Sequence, residues 1–494
     1  MRPLELFVLG TTLLALIPGR SRSVRLALAA AAGVVALLQA AIEGQRWQLW
    51  PVYSVIAVLL VARLAGVALP VAARRAAAGF GAVTVMVSAA LGSWMPVYDL
   101  PVPSGPHAVG TTHLFFTNTE RDDPFAAAGT PRTIWAQVWY PAAPGATGAT
   151  APYLPGEGKG LRGAARLIEL PRFIFDPVGL LETQARLDVP VLPDERFPTL
   201  VFSHGYALGH PAQNAWLMQE LASRGYVIFS LAHPGEAALW RTADGSIHSI
   251  DRNNPRLASL WAEVTRDGDY DDKLAVATTA AEREAATVEH LADHPLMGES
   301  MELWVNDTRF VLDELERLDA GEPATVFAGA LDLERVGVFG MSFGGAAAAR
   351  VCAVDARCKA ALNLDGFHYG TALGPPLERP FLMFYSAGNQ GMNVGFFSEP
   401  RAPLYNVVIR GSTHGHFGEF ILQSGFLAWF LTPPDGESID GWRALEIINT
   451  YTIAFFGQYL NGAQSPLLAG EGTPPEVRFS RSGAAGTAEA DGAQ

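Results

Sequence analysis

The chain has 494 residues, 49% of them hydrophobic and 17% charged, with a formal net charge of −14. That length exceeds what a single hydrophobic core usually serves. Residues 1–95 carry eight Arg and two Glu, a net of +6, so the remainder carries −20, which makes it a poor candidate for nucleic-acid binding, a function that needs clustered basic charge.

Residues 4–17, 26–42, 50–70 and 76–94 are apolar runs separated by short loops bearing arginine. They predict a bundle of about four transmembrane helices over 1–95; the last two runs are long enough to span, and the first two are shorter. A cleaved signal peptide is the rival reading of 4–17, but it leaves three runs unexplained. Arg63 lies inside the third run, where it snorkels or faces a neighbouring helix. Arg20, Arg22 and Arg25 follow the first run and Arg74 and Arg75 the third, against Arg46 alone in the second loop. The positive-inside rule then expects the amino terminus and everything after the fourth span on the extracytoplasmic side.

A Pro-rich linker, 96–106, precedes a region of different character at 107–470. Short apolar or alternating runs recur at 113–117, 133–140, 199–203, 227–232, 336–339, 360–364, 381–385 and 405–409, and each reads as a strand. Apolar residues at helical spacing occupy 214–224, 304–318, 344–354 and 445–460. Such alternation predicts an α/β fold, a mostly parallel central sheet with helices on both faces. Two inserts, 153–197 and 252–301, interrupt the repeat and are expected as lids or caps, with packed surface helices as the alternative. The tail 471–494, rich in Gly, Ala, Pro and Glu, is expected to be disordered.

The most informative stretch is RVGVFGMSFGGAAAARVC, residues 335–352. Gly340-Met341-Ser342-Phe343-Gly344 fits G-x-S-x-G between a predicted strand and a predicted helix, the context of a nucleophile elbow. A serine hydroxyl near neutral pH needs a base, usually histidine, whose other nitrogen is held by a carboxylate. His414 lies just past the strand 405–409 and is the expected base, with His416 its nearest competitor; His368 also follows the serine. Asp365 closes the strand 360–364 and is placed first as the acid on chain order, ahead of Asp355 and Asp307. Gly366 beside it allows a plain turn as the alternative.

The oxyanion needs preorganised amides. The Phe343 N–H follows the nucleophile, and the Tyr206 N–H, in Ser203-His204-Gly205-Tyr206 after the strand 199–203, is the second candidate; His204 is expected to brace the loop. Cys352 and Cys358 read equally as a disulfide of an oxidising compartment or as two buried thiols, and they lack the further ligands that zinc requires.

The segments FSHGYA, GMSFGG, NLDGF and GSTHGHF, in that order, resemble the platelet-activating factor acetylhydrolase family of the lipoprotein-associated phospholipase type, across roughly residues 100–465. DLPVPSGPHAVGTT, TIWAQVWYPA and AFFGQYLNG look similar as well. The resemblance implies an α/β-hydrolase fold, with Ser342 as nucleophile, Asp365 as acid, His414 as base, the Tyr206 and Phe343 amides as oxyanion hole, and no catalytic role for His416. It also implies short or oxidised acyl chains on phospholipids as substrate. The expectation is therefore a membrane-anchored serine ester hydrolase whose partners are an ester or lipid substrate and the bilayer, and which needs no metal or organic cofactor. Alternatives are a general carboxylesterase, a polyester hydrolase or an acyltransferase on the same residues, or a non-catalytic membrane sensor or scaffold.

Overall fold

Four helices open the chain: α1 (Pro3–Leu16), α2 (Arg22–Ile42), α3 (Trp50–Leu64) and α4 (Val71–Trp94). They belong to a computed structural model that describes residues 1–266, 270–370, 378–393, 396, 400–423 and 438–483. Three segments, Arg22–Ile42, Trp47–Leu64 and Val71–Trp94, are long and apolar enough to cross a membrane. The expected fourth, α1, has 14 residues, about 21 Å of axis against a hydrocarbon core of about 30 Å. The second span is longer than its apolar run because Ser21 caps the Val24 amide and starts the helix at Arg22. Arg63 sits in the last turn of α3, at the end of the span and not its middle.

One eleven-stranded sheet follows, built from β1 (Val109–Asp122), β2 (Pro131–Pro141), β3 (Thr150–Pro152), β4 (Glu182–Leu187), β5 (Phe197–Ser203) and β6 (Val227–Ala232). A hairpin of β7 (Leu239–Arg241) and β8 (Ile247–Ser249) stands apart, and the sheet resumes with β9 (Leu331–Met341), β10 (Cys358–Leu364), β11 (Phe381–Ser386), β12 (Leu404–Ile409) and β13 (Val477–Ser482). The spatial order is β13-β12-β11-β10-β9-β5-β6-β2-β1-β4-β3. From β6 to β12 every neighbouring pair is parallel.

The parallel strands are buried on both faces, which is why VIFSLA and FLMFYS read as near-continuous apolar runs. Leu200, Phe202, Phe339 and Leu362 face one layer, with α5 (Ala215–Ser223) and, near the carboxyl terminus, the helix Gly441–Asn461. Val201, Val338 and Ala361 face the other, with the helices Pro295–Asp319 and Phe343–Val354. Because side chains alternate along each strand, consecutive residues serve opposite cores.

The linker is stitched down: the Gly105 amide donates to Ser223 Oγ (3.1 Å) and the His107 amide to the Ser223 carbonyl (3.0 Å). In the first insert, Phe173 packs on Trp47 and Trp50 of the helical bundle at 5.5 and 5.4 Å between ring centroids. The second holds Pro255–Val264, Tyr270–Val276 and Ala280–Asp293; its residues 267–269 lie outside the described set. The expectation of disorder from 471 fails over Val477–Ser482, which pair antiparallel with β12 as an edge strand. Its alternation seats Val477 and Phe479 on the core while polar neighbours face out, a signal too short to stand out against the composition around it. Residues 484–494 lie outside the described set.

Candidate active site

The parallel strands bring their carboxyl ends to one rim of the sheet, and Ser342, Asp365 and His414 follow β9, β10 and β12 there. Ser342 has φ 54° and ψ −125°, a conformation that L-residues rarely hold outside strained turns. Its hydroxyl is raised clear because the turn is packed backbone to backbone. A Cβ on Gly344 would run into the Ser203 carbonyl, and one on Gly366 into the Ser342 carbonyl.

The three side chains meet in a line. Ser342 Oγ donates to His414 Nε2 at 3.0 Å, and His414 Nδ1 donates to Asp365 Oδ2 at 2.9 Å. The Asp365 side chain is fully buried, whereas that of His414 is 48% exposed. Asp365 is further held by the Ser386 amide on Oδ1 (2.7 Å) and by Asn389 Nδ2 on Oδ2 (2.9 Å). Neither was visible in the sequence: Ser386 ends β11, Asn389 lies just past it, and neither carries a motif.

His416 is turned away into the 3₁₀ turn His414–Phe417. Its Nδ1 accepts from the Thr413 amide at 3.0 Å and its Nε2 donates to the Ile439 carbonyl at 3.2 Å. Burial lowers its pKa, so it clamps the turn as a neutral ring. Asp355 is engaged by Arg357 (2.7 Å) and Arg309 (3.5 Å), and His368 is buried against Asn363 (3.0 Å).

The Ser203–Tyr206 loop approaches Ser342 closely: a Cβ on Gly205 would lie 3.6 Å from Ser342 Cβ. The Tyr206 ring meets the Phe343 ring at 5.2 Å. Among the described residues, neither the Tyr206 nor the Phe343 amide donates to another protein group. Among the described residues, no three His, Cys, Asp or Glu side chains are gathered so as to hold a metal ion. Cys352 and Cys358 are joined in a disulfide with Cα atoms 5.0 Å apart, tying the end of the helix after Ser342 to the start of β10.

Sequence reading missed a second Ser-His-Asp line. Ser203 Oγ donates to His233 Nε2 (3.0 Å) and His233 Nδ1 donates to Asp307 Oδ2 (3.0 Å), distances nearly the same as at Ser342. This line is inaccessible, with Ser203, His233 and Asp307 all at or below 2% exposure. Burial alone would raise the Asp307 pKa, but the Arg132 guanidinium at 2.8 Å and His233 overcome it and hold the carboxylate ionised. Burial keeps His233 and His204 neutral. The His233 amide donates to His204 Nε2 (3.2 Å) and His204 Nδ1 donates to the Gly205 carbonyl (2.8 Å), so the assembly fixes the loop before Tyr206. His-Pro-Gly after β6 was the one cue in the sequence.

Glu419 ties the His414 turn to the sheet's flank. Its carboxylate accepts from the Asn214 (2.7 Å) and Trp216 (2.9 Å) amides at the start of α5, and burial pushes its pKa up to about 7. On the opposite side, Tyr270 of the second insert stacks edge-on against Phe367 (5.2 Å), and Tyr369 lies 5.7 Å from Phe343. That insert therefore borders the loop after Asp365.

Strand order, helices on both faces and a serine at a strand-to-helix turn define the α/β-hydrolase class. A ferulic acid esterase from Streptomyces cinnamoneus shares the fold, with a TM-score of 0.58 and 23% identity over 78% of this chain and 99% of that one. The profile of "Platelet-activating factor acetylhydrolase, isoform II" matches residues 93–285 and 305–465, and the chain belongs to that family. Platelet-activating factor acetylhydrolase of Cavia porcellus is 22% identical over 378 residues, 73% of this chain and 78% of its own. A probable 1-alkyl-2-acetylglycerophosphocholine esterase of Arthroderma benhamiae is 22% identical over 308 residues, 57% of this chain and 66% of its own. The chain is accordingly a carboxylic ester hydrolase of the platelet-activating factor acetylhydrolase type. All of the family match falls after the helical bundle, apart from its first few residues.

Proposed function

We propose that this chain is a membrane-anchored serine ester hydrolase that cleaves short or oxidised acyl esters, at the sn-2 position of phospholipids, through an acyl-enzyme. The observation that carries the reading is the unbroken hydrogen-bond line from Ser342 through His414 to buried Asp365. His414 Nε2 takes the Ser342 proton as Oγ attacks the ester carbonyl, and Asp365 stabilises the imidazolium that forms. The tetrahedral oxyanion is received by the Tyr206 and Phe343 amides, each such donor contributing roughly 10²–10³ in rate. His414 then protonates the leaving alcohol. Water, deprotonated by the same nitrogen, attacks the acyl-Ser342 ester and releases the acid, restoring the hydroxyl.

Three apolar helices support anchoring in a bilayer as a multi-pass protein. The side of the membrane is inferred from charge: Arg20, Arg22, Arg25, Arg74 and Arg75 mark the cytoplasmic loops, and the hydrolase domain lies extracytoplasmically. The Cys352–Cys358 disulfide suits an oxidising compartment. The first insert touches the bundle through Phe173 and the segment just past the His414 turn through Phe175 on Phe420, which sets that side of the hydrolase domain next to the bundle.

The test is a fluorophosphonate probe on the full chain, together with a hydrolysis panel from p-nitrophenyl acetate to long-chain phospholipids. Labelling confined to Ser342, lost in Ser342→Ala, with rates highest for short sn-2 chains, is the expected result. Labelling at another serine, or hydrolysis confined to long chains, rejects the reading.

A further inference from the structure

The two ends of the helical bundle are electrostatically opposite in kind. At the end beside the hydrolase domain every acid of residues 1–95 is matched: Glu5 meets Arg46 at 2.6 Å and Arg2 at 3.0 Å, and Glu43 accepts from the Leu4 amide at 2.8 Å. The far end carries Arg20, Arg22, Arg25, Arg63, Arg74 and Arg75 and no carboxylate at all. Arg25 Nη1 donates to the Arg20 carbonyl at 2.6 Å, but the Nε atoms of Arg25 and Arg63 are buried without an acceptor. Like charges have been brought together, and among the described residues none of these six arginines has a carboxylate within ion-pair distance.

They converge on a cavity. A groove of about 390 Å³ lies between the end of α1, α3 and α4, and Arg25, Arg63 and Arg74 line it. The rest of its wall is largely apolar, with Val58 and Leu59 from α3 and Ala78 and Phe80 from α4. It follows α3 from Pro51 to Arg63, about 18 Å of helix axis. Guanidinium forks suit phosphate oxygens, and an apolar wall inside a span suits an acyl chain, which a free phosphate ion would leave unfilled.

We propose that this groove holds one anionic phospholipid of the leaflet at the arginine-rich end, its phosphate on Arg25, Arg63 and Arg74 and a chain along α3. The site is separate from Ser342, and the proposal rests on the reading of the bundle as membrane-embedded. A bulk attraction of basic loops to an anionic surface would need the charges alone; a site needs the groove as well.

The experiment is native mass spectrometry of the full chain, titrated in detergent with phosphatidylglycerol or phosphatidylcholine, with inorganic phosphate as competitor. Each arginine changed to glutamine is expected to weaken phosphatidylglycerol binding about fivefold, and the triple variant on the order of a hundredfold. Ala78→Phe leaves every charge in place and fills the groove; it is expected to lose the bound lipid too, with ester hydrolysis retained as proof of folding. Equal retention of the two lipids by the unaltered chain overturns the proposal, as does full phosphatidylglycerol binding by Ala78→Phe, or complete displacement by millimolar phosphate. Carbonate extraction of membranes separates the two levels: a chain released by carbonate refutes the membrane reading itself, while a retained chain without lipid preference refutes only the site.

Discussion

Asp365→Asn discriminates a catalytic carboxylate from one that merely closes a turn. The Asp365 side chain is fully buried and its two oxygens have different duties: Oδ1 accepts from the Ser386 amide at 2.7 Å, and Oδ2 accepts from His414 Nδ1 and Asn389 Nδ2, both at 2.9 Å. A backbone N–H cannot turn around, so the asparagine oxygen must take the Ser386 position and its NH₂ must face His414. Asn389 can rotate its amide to accept; His414 can adapt only by carrying its proton on Nε2. That tautomer presents N–H to Ser342 and has no lone pair for its proton. The expected loss is about 10⁴ in kcat, about 5.5 kcal/mol of barrier, with KM little changed because Asp365 has no surface to offer substrate. Initial rates on p-nitrophenyl acetate, with circular dichroism to verify folding, measure it. A folded variant losing less than about tenfold would refute both the acid assignment and the tautomer argument.

His416→Ala should lower kcat by less than about tenfold while costing about 1–2 kcal/mol of stability, because the ring bonds only the turn and the Ile439 carbonyl; a loss as large as that of His414→Ala would reverse the roles of the two histidines. Asp307→Ala strands the Arg132 guanidinium in the core, and urea unfolding should register about 3–5 kcal/mol. A change under about 1 kcal/mol would mean that Asp123 or solvent takes over the charge. Glu419 supplies a pH test. Its folded pKa of about 7 lies above the ordinary glutamate value of 4.5, so the folded state holds a proton that the unfolded chain releases in that window. Its contribution is greatest below about pH 4.5 and falls by about 3 kcal/mol as pH rises through 7. The stability gap between the unaltered chain and Glu419→Ala should therefore shrink by about that amount between pH 5 and pH 8, and an unchanged gap would contradict the raised pKa.

Much of this molecule was legible in one dimension because its signals are local. Hydrophobic runs reported the spans and the buried parallel strands, since a strand covered on both faces must be apolar throughout. Ser342 was found through its glycines, which the packing of strand against helix demands, and Asp365 and His414 through their places after strands β10 and β12. The edge strand Val477–Ser482 and the disulfide were less legible, because edge pairing and Cα separation depend on neighbours far along the chain.

Amino-acid order alone determined the class of chemistry: which residue types are available, in what succession, and on which side of which strand. Tertiary structure alone revealed that a second, equally well-formed Ser-His-Asp line exists, and which of the two is open to solvent. The Ser203–His233–Asp307 line is sealed inside the core against Arg132, whereas the Ser342–His414–Asp365 line ends on a serine forced outward by its backbone and a half-exposed imidazole. Hydrogen-bond distances do not separate the two. Solvent access does, and access is a property of the packed whole, not of any segment.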